Sequence, residues 1–365
     1  MNHKALFTPG SLGSFTLRNR IVLPPLTRSR SSQPGNIPNA VMATYYQQRA
    51  SAGFMVTEGI QIEPRGQGYA WTPGIHSPEQ VEGWKPVTQA VHAEGGVIFA
   101  QLWHVGRLSH VSIHPGSGAP VSSGEVPATT TMVYAWAEPG KEGPVLPSKP
   151  RALSTAEVQR VTEDFVASAR RAMDAGFDGV EVMAANAFLF DQFLSSKLNT
   201  RSDQYGGSIA NRQRFLLETI DALADAIGGE KVGVRVSPFG RIYDMEAFEG
   251  EAETWTSMAA ALNERTLAFV HLNYQTTISA AGTPAGFGAA FRKAYPGIEI
   301  ELVVGNVALN LSRREADVAL RVGNAPAETL VGRRVGRLAF AVYASADYRA
   351  RHPEPDLAQH DWIGF

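Results

Sequence analysis

Short, nearly unbroken apolar runs alternate along the chain with longer segments whose apolar residues recur every three or four positions. The runs cover residues 20–25, 53–62, 96–103, 179–185, 231–238 and 267–273. They lack the in–out alternation of a strand with one wet face, so they predict parallel strands covered on both sides. The helical period appears over residues 79–95, 156–176, 214–227 and 252–265. One helix start is explicit: Ser154 and Glu157 form a capping-box pair, and Val158, Val161, Phe165, Ala169 and Ala172 then line a single stripe. Repeated β–α units predict a parallel sheet, either a (β/α)8 barrel or a doubly wound sheet. The strand-to-helix connections are long and polar and the return connections short, which favours an α/β TIM barrel with its site at the C-terminal strand ends. The Gly/Pro/Ser-rich stretch 105–150 is too long for a simple connection and predicts an excursion or lid after the third strand.

Composition narrows the function classes without choosing one. With 365 residues the chain has room for one large barrel or for two domains. A formal charge of -2 gives no general attraction to nucleic acid or anionic membrane. The absence of cysteine excludes disulfides, thiolate metal sites and a cysteine nucleophile. His76 and His104 fall on loops without metal-ligand spacing, so no metal is expected. No apolar run reaches signal-peptide or membrane-spanning length, and the expected location is cytoplasmic.

The ends of the apolar runs carry polar groups. The first finishes Leu23-Pro-Pro-Leu-Thr-Arg-Ser-Arg30, the second Val56-Thr-Glu-Gly-Ile, the third Phe99-Ala-Gln-Leu-Trp-His and the fifth Gly233-Val-Arg-Val-Ser-Pro238. Singly, each has an ordinary explanation, as a turn former, a satisfied amide or a paired arginine. Together they suggest a planar, polar-edged ligand contacted by several strands. The fourth run, Glu181-Val-Met-Ala-Ala-Asn-Ala-Phe-Leu-Phe-Asp-Gln-Phe-Leu, opens into a polar loop that continues to Asn199-x-Arg-x-Asp-x-Tyr-Gly-Gly-Ser-x-x-Asn-Arg212.

These segments, with Gln67-Gly-Tyr-Ala-Trp-Thr-Pro-Gly-Ile-His76, resemble in order the motifs of the old yellow enzyme family over residues 3–296. The resemblance implies a barrel that binds FMN, takes hydride from NAD(P)H and passes it to an electron-poor alkene such as an enone or maleimide, or to a nitro compound. It further implies that Pro25, Leu26 and Gly59 present backbone to the flavin ring, that Thr27 donates to its C4 carbonyl, and that Gln101 binds its pyrimidine edge. Arg235 is implied beside N1 and the C2 carbonyl, where a cation favours the reduced ring. Tyr69 and Trp103 are implied as aromatic walls at the substrate.

At the chemistry itself the chain departs from the family. There His and Asn, three residues apart, grip the substrate's activating oxygen; here Asn186 remains but Met183 stands in the histidine position. A thioether donates no hydrogen bond, and a lost preorganised donor of this kind costs about 3 kcal/mol, or a hundredfold in rate. The family tyrosine that protonates the second alkene carbon is Phe188, which has no proton to give. General-acid help is worth about a hundred- to ten-thousandfold. Alkene saturation is therefore expected to be handicapped at both catalytic positions, while flavin reduction by NAD(P)H and hydride delivery to nitro groups are spared.

After residue 297 the family pattern stops. Residues 298–365 are similar to part of the effector-binding domain of LysR-type regulators. The tail's eight basic residues are offset by nine acidic ones and no winged helix precedes them, so DNA binding is not supported. Its pattern predicts strand, helix and strand over residues 298–305, 309–316 and 317–322, the order of the last two barrel strands. Gly305, Asn306 and Arg321 then fall where the resemblance implies a phosphate site. The expected organisation is a barrel domain over residues 1–296 of about six β/α units, with residues 297–365 replacing the last two. Two other readings remain open: a catalytically impaired flavin- or ligand-binding fusion, and a small-molecule sensor built on the tail. Substrate, nicotinamide preference and oligomeric state are not legible.

Overall fold

Six parallel strands lie side by side in chain order: β3 (Val22–Leu23), β4 (Phe54–Gln61), β5 (Ile98–Trp103), β10 (Gly179–Ala184), β11 (Val232–Val236) and β12 (Phe269–Leu272). Each corresponds to one of the apolar runs. The computed structural model describes residues 6–113, 116, 118–138 and 141–273. The strand-helix-strand expected over residues 298–322, with Gly305, Asn306 and Arg321, lies outside the described residues.

Strands in chain order distinguish a barrel from a doubly wound sheet, whose order reverses partway. The sheet also curls. β4 and β12 are four steps apart, about 19 Å in a flat sheet at the usual inter-strand spacing, yet the rings of Phe54 and Phe269 meet at 5.1 Å. Phe99 of β5 completes the cluster, at 5.0 Å from Phe54 and 5.5 Å from Phe269. All three rings lie at or near the N-terminal ends of their strands. Below them an antiparallel hairpin, β1 (Gly10–Leu12) with β2 (Phe15–Leu17), adds Phe15 at 5.4 Å from Phe99 and the buried Leu17. One end of the sheet is thus plugged with aromatic and aliphatic groups, and the polar side chains are left to the other.

Helices α2 (Pro78–Ala93), α3 (Thr155–Asp174), α5 (Ile209–Ile227) and α6 (Glu251–Asn263) cover the outer face. The capping box at Ser154 forms: its side chain accepts from Glu157 N while Glu157 accepts from Ser154 N. The stripe Val158, Val161, Phe165, Ala169, Ala172 is buried along its whole length.

Three expectations needed adjustment. The first strand is two residues long rather than six, because Pro24 and Pro25 have no N–H for the ladder. The helix expected at 214 begins at Ile209, where Ser208 accepts from Asn211 N. The loop expected after Ala185 contains a short helix, α4 (Leu189–Leu194), and α1 (Ala40–Gln47) lies between the first two strands of the sheet. The excursion holds a hairpin, β7 (Val133–Glu138) with β8 (Lys141–Val145), and a bridge between β6 (Val121–Ser122) and β9 (Arg151–Ala152). No helix among the described residues is long and apolar enough to cross a membrane.

If the aromatic plug holds the curl, Phe99→Ala should cost about 3–5 kcal/mol in urea unfolding, against about 1 kcal/mol for Ser154→Ala at the helix cap. A Phe99→Ala loss no larger than that of the cap variant would contradict the assignment.

Candidate active site

At the plugged end's opposite side, four adjacent strands converge on one carboxylate. Glu181 of β10 is fully buried. Its Oε1 accepts from Gln101 Nε2 of β5 at 2.6 Å, and its Oε2 lies 2.8 Å from His271 Nδ1 of β12. Arg235 of β11, in register with Met183 and His271, supplies the cation. Burial alone would raise the Glu181 carboxyl; His271 and Arg235 outweigh it and hold it below its ordinary range. Arg235 is itself pushed down by burial, opposed by Glu181. Its Nε is buried and has no hydrogen-bond partner among the described residues, an arrangement that favours an acceptor supplied by a ligand.

Pro25, Leu26 and Thr27 follow β3 at the same end. Leu26 is 40% exposed, and Thr27 is exposed as well. Their loop is anchored from below: Glu58 Oε2 of β4 accepts from Arg28 N at 2.9 Å and Ser29 N at 3.1 Å. Burial pushes Glu58 up to about 7, against those two N–H groups. Gly59 faces an indole: a Cβ there would stand 2.0 Å from the Trp103 ring. The close approach of Trp103 is thus sufficient reason for a glycine at this position.

Asn186 and Ala187 follow β10 and both adopt left-handed backbone, φ 59° and 61°. Asparagine tolerates this; for alanine it costs about 1–2 kcal/mol. Three contacts hold the turn. Asn186 N donates to Ser237 Oγ at 2.8 Å, Ala187 N donates to Asp191 Oδ2 at 2.9 Å, and Gln192 Nε2 donates to Ala187 O at 2.7 Å. Ser237 Oγ in turn donates to Asp191 Oδ2 at 3.2 Å. Asn273 Nδ2 donates to Asn186 Oδ1 at 2.6 Å, which leaves the Asn186 NH2 as the group to offer a substrate oxygen.

Met183 and Phe188 belong to a separate apolar cluster with Trp103, Val105, Leu108, Ala187 and Met245, and with Tyr69 and Tyr243 packed against it. Phe188 meets Trp103 edge-on at 5.3 Å, and Trp103 lies 6.0 Å from Tyr69. The structure therefore gathers Gln101 and Arg235 around Glu181, and Met183, Phe188, Tyr69 and Trp103 into a neighbouring wall.

Sequence reasoning assigned no role to Glu181, Asp191, Ser237, Tyr243 or His271. Glu181 carried a readable signal, an acidic residue inside an otherwise apolar strand; the others depend on contacts between distant loops.

The lining suits a flavin. An anchored strand-end loop with exposed Leu26 and Thr27, the carboxamide of Gln101 and the unsatisfied Arg235 Nε together offer apolar surface, hydrogen bonds and a cation to a planar, electron-accepting ring.

The match to known proteins follows the same residues. The family model described as NADH:flavin oxidoreductase / NADH oxidase matches residues 5–293, and the LysR substrate binding domain model matches residues 285–365. Among curated proteins, 12-oxophytodienoate reductase 2 of Arabidopsis thaliana is 41% identical over 268 residues, 73% of this chain and 70% of the relative. 12-oxophytodienoate reductase 1 of Oryza sativa subsp. japonica is 43% identical over 250 residues, and the chain spans 61% of its length. Among solved structures, morphinone reductase aligns with TM-score 0.79 and 42% identity, over 85% of this chain and 82% of that one. An old yellow enzyme homologue from Zymomonas mobilis aligns with TM-score 0.73 and 36% identity, over 80% and 79%.

Burial pushes Asp191 up to about 7, against the hydrogen bonds from Ala187 and Ser237. A carboxyl raised in the folded state binds more protons folded than unfolded between its two pKa values. Stability therefore falls as pH rises from about 4 to about 7, by at most about 1.4 kcal/mol for each pH step of one. Asp191→Asn keeps an oxygen for both donors and removes the charge, so its stability relative to the parent should increase between pH 4.5 and 7.5 in urea titrations. A pH-independent difference would refute the assignment.

Proposed function

The chain belongs to the NADH:flavin oxidoreductase / NADH oxidase family, and we propose that it is an FMN-dependent oxidoreductase passing hydride from NAD(P)H to electron-poor alkenes or nitro compounds. The observation that carries the reading is the buried Arg235 with an unsatisfied Nε, held beside Glu181 and Gln101 where parallel strands end. When bound there, FMN would supply the hydride chemistry. The chain's own residues would orient and polarise. Thr27 and Gln101 would bind the polar edge of the ring, with Pro25, Leu26 and Gly59 along it. Arg235 would place positive charge beside the atoms that become electron-rich on reduction. Gly305, Asn306 and Arg321 are proposed for the phosphate.

Asn186 would hold the substrate's activating oxygen through its NH2, with the left-handed turn fixing its direction. Met183 adds no second donor. The substrate wall formed by Tyr69, Trp103, Met183 and Phe188 excludes water and favours an apolar, flat substrate. Enones and maleimides fit that chemistry, as do the named activities of the relatives, which include 12-oxophytodienoate and morphinone reductases. A cytoplasmic location is in keeping with the lack of cysteine.

Purified full-length protein should be yellow, and anaerobic NADPH should bleach it. A colourless protein that takes up no FMN supplied in excess would end this reading. Met183→His should raise turnover with 2-cyclohexen-1-one by about ten- to a hundredfold; no gain would mean that Asn186 alone already polarises the substrate. Deleting residues 298–365 should weaken FMN affinity at least tenfold, and unchanged affinity would remove Gly305, Asn306 and Arg321 from the site.

A further inference from the structure

The residue that lacks a proton is enclosed by two that have one. Four rings close on one another: Phe188 on Trp103 at 5.3 Å, Trp103 on Tyr69 at 6.0 Å, and Tyr243 nearly parallel to Phe188 at 6.3 Å with 6° between planes. Tyr69 and Tyr243 both pack against the apolar cluster of Trp103 and Phe188, near enough for Tyr243 to act on the buried Tyr69 hydroxyl. Burial first, then the neighbouring Tyr243, push the Tyr69 hydroxyl well above its ordinary range. Tyr243 carries, beside Phe188, the hydroxyl that Phe188 lacks. Its ring is half-buried, between the apolar wall and solvent.

The loop that presents Tyr243 is built to hold it there. Tyr243 and Asp244 both have left-handed backbone, φ 52° and 60°, unusual for side chains of their size. Arg107, almost wholly buried after β5, donates to Tyr243 O at 3.3 Å and Asp244 O at 2.9 Å, and to Val126 O and Pro127 O at 3.3 and 3.2 Å. Asp244 returns the tie: its Oδ2 accepts from Thr129 N at 2.6 Å and Thr130 N at 2.9 Å, and its Oδ1 from the Thr130 hydroxyl. A buried guanidinium and a carboxylate thus lock the excursion after the third strand to the loop after the fifth. The segment they fix is the one that brings a phenol to the face of Phe188.

We propose that Tyr243, with the neighbouring Tyr69 hydroxyl to stabilise its phenolate, is the general acid that protonates the alkene in this chain, in the role Phe188 cannot fill. The proposal rests on the function proposed above. Hydride derived from NAD(P)H adds to one alkene carbon, and the electron pair left on the neighbouring carbon is delocalised onto the oxygen held by Asn186. That pair takes the Tyr243 hydroxyl proton: a C–H bond forms, the O–H bond breaks, and the phenolate keeps the O–H electrons. Tyr69 O–H donates to the phenolate until a solvent proton restores the phenol.

The test is stopped-flow kinetics of the full-length FMN-loaded protein with 2-cyclohexen-1-one, reading reduction by NADPH and reoxidation by the alkene separately. Tyr243→Phe should slow the alkene step at least tenfold more than the NADPH step, and Phe188→Tyr added to it should restore at least half of the loss. Tyr69 phenol titration, followed by 13C NMR at Cζ, should move to lower pH in Tyr243→Phe, a signature of the hydroxyl pair that does not depend on turnover. If Tyr243→Phe fails to retain FMN, Tyr69→Phe decides, with a loss of at least threefold confined to the alkene step. An alkene step within twofold of the parent in the deciding variant overturns the proposal. So does a parent that NADPH bleaches but the alkene does not reoxidise. A parent that holds no flavin fails earlier and refutes the functional reading itself.

Discussion

The site depends on one buried carboxylate. Glu181 stands in the interior of the sheet, where an isolated charge is prohibitive, and its two oxygens are taken by Gln101 from one side and His271 from the other. Arg235 balances the charge. Three neighbouring strands are thereby obliged to present polar groups at one level, with Gln101 turned by the carboxylate and Arg235 held near it without being fully satisfied. Arg235 Nε, without a partner among the described residues, leaves the cluster one donor beyond those that hold Glu181. A wholly apolar interior would fold as well but would offer a planar cofactor nothing to hold.

The opposite end of the strands obeys a different constraint. Phe54, Phe99 and Phe269 meet only because the sheet curls, and the N-terminal hairpin seals them from below. This division, apolar plug at one end and polar groups at the other, assigns chemistry to the strand ends before any catalytic residue is considered. Two left-handed turns then fix direction there. The Asn186–Ala187 turn is tied to Ser237, Asp191 and Gln192, and the Tyr243–Asp244 turn to Arg107 and Thr130. In each, unfavourable backbone is tolerated because several hydrogen bonds over-determine it.

Much of this was legible beforehand, and the exceptions share a cause. All six strands appear as apolar runs because a strand buried on both faces needs an unbroken apolar sequence. The helix at Ser154 was legible because a capping box is local. The first strand is shorter than its apolar run because Pro24 and Pro25, which continue that run, end the ladder. Ser208 was missed as a helix start because the polar residues around it read equally well as loop.

What the sequence alone determined is whatever neighbouring residues decide: the β–α alternation, the caps, and the identities that make Met183 and Phe188 unable to donate. Tertiary structure decided what depends on residues far apart in the chain. It joined Gln101, Glu181 and His271, separated by 80 and 90 positions, into one network. It set Arg107 against Tyr243, 136 positions away, and so brought a phenol beside the phenyl ring. No local pattern encodes such meetings, because they follow from strand register and loop docking, which only the packing of the curled sheet defines.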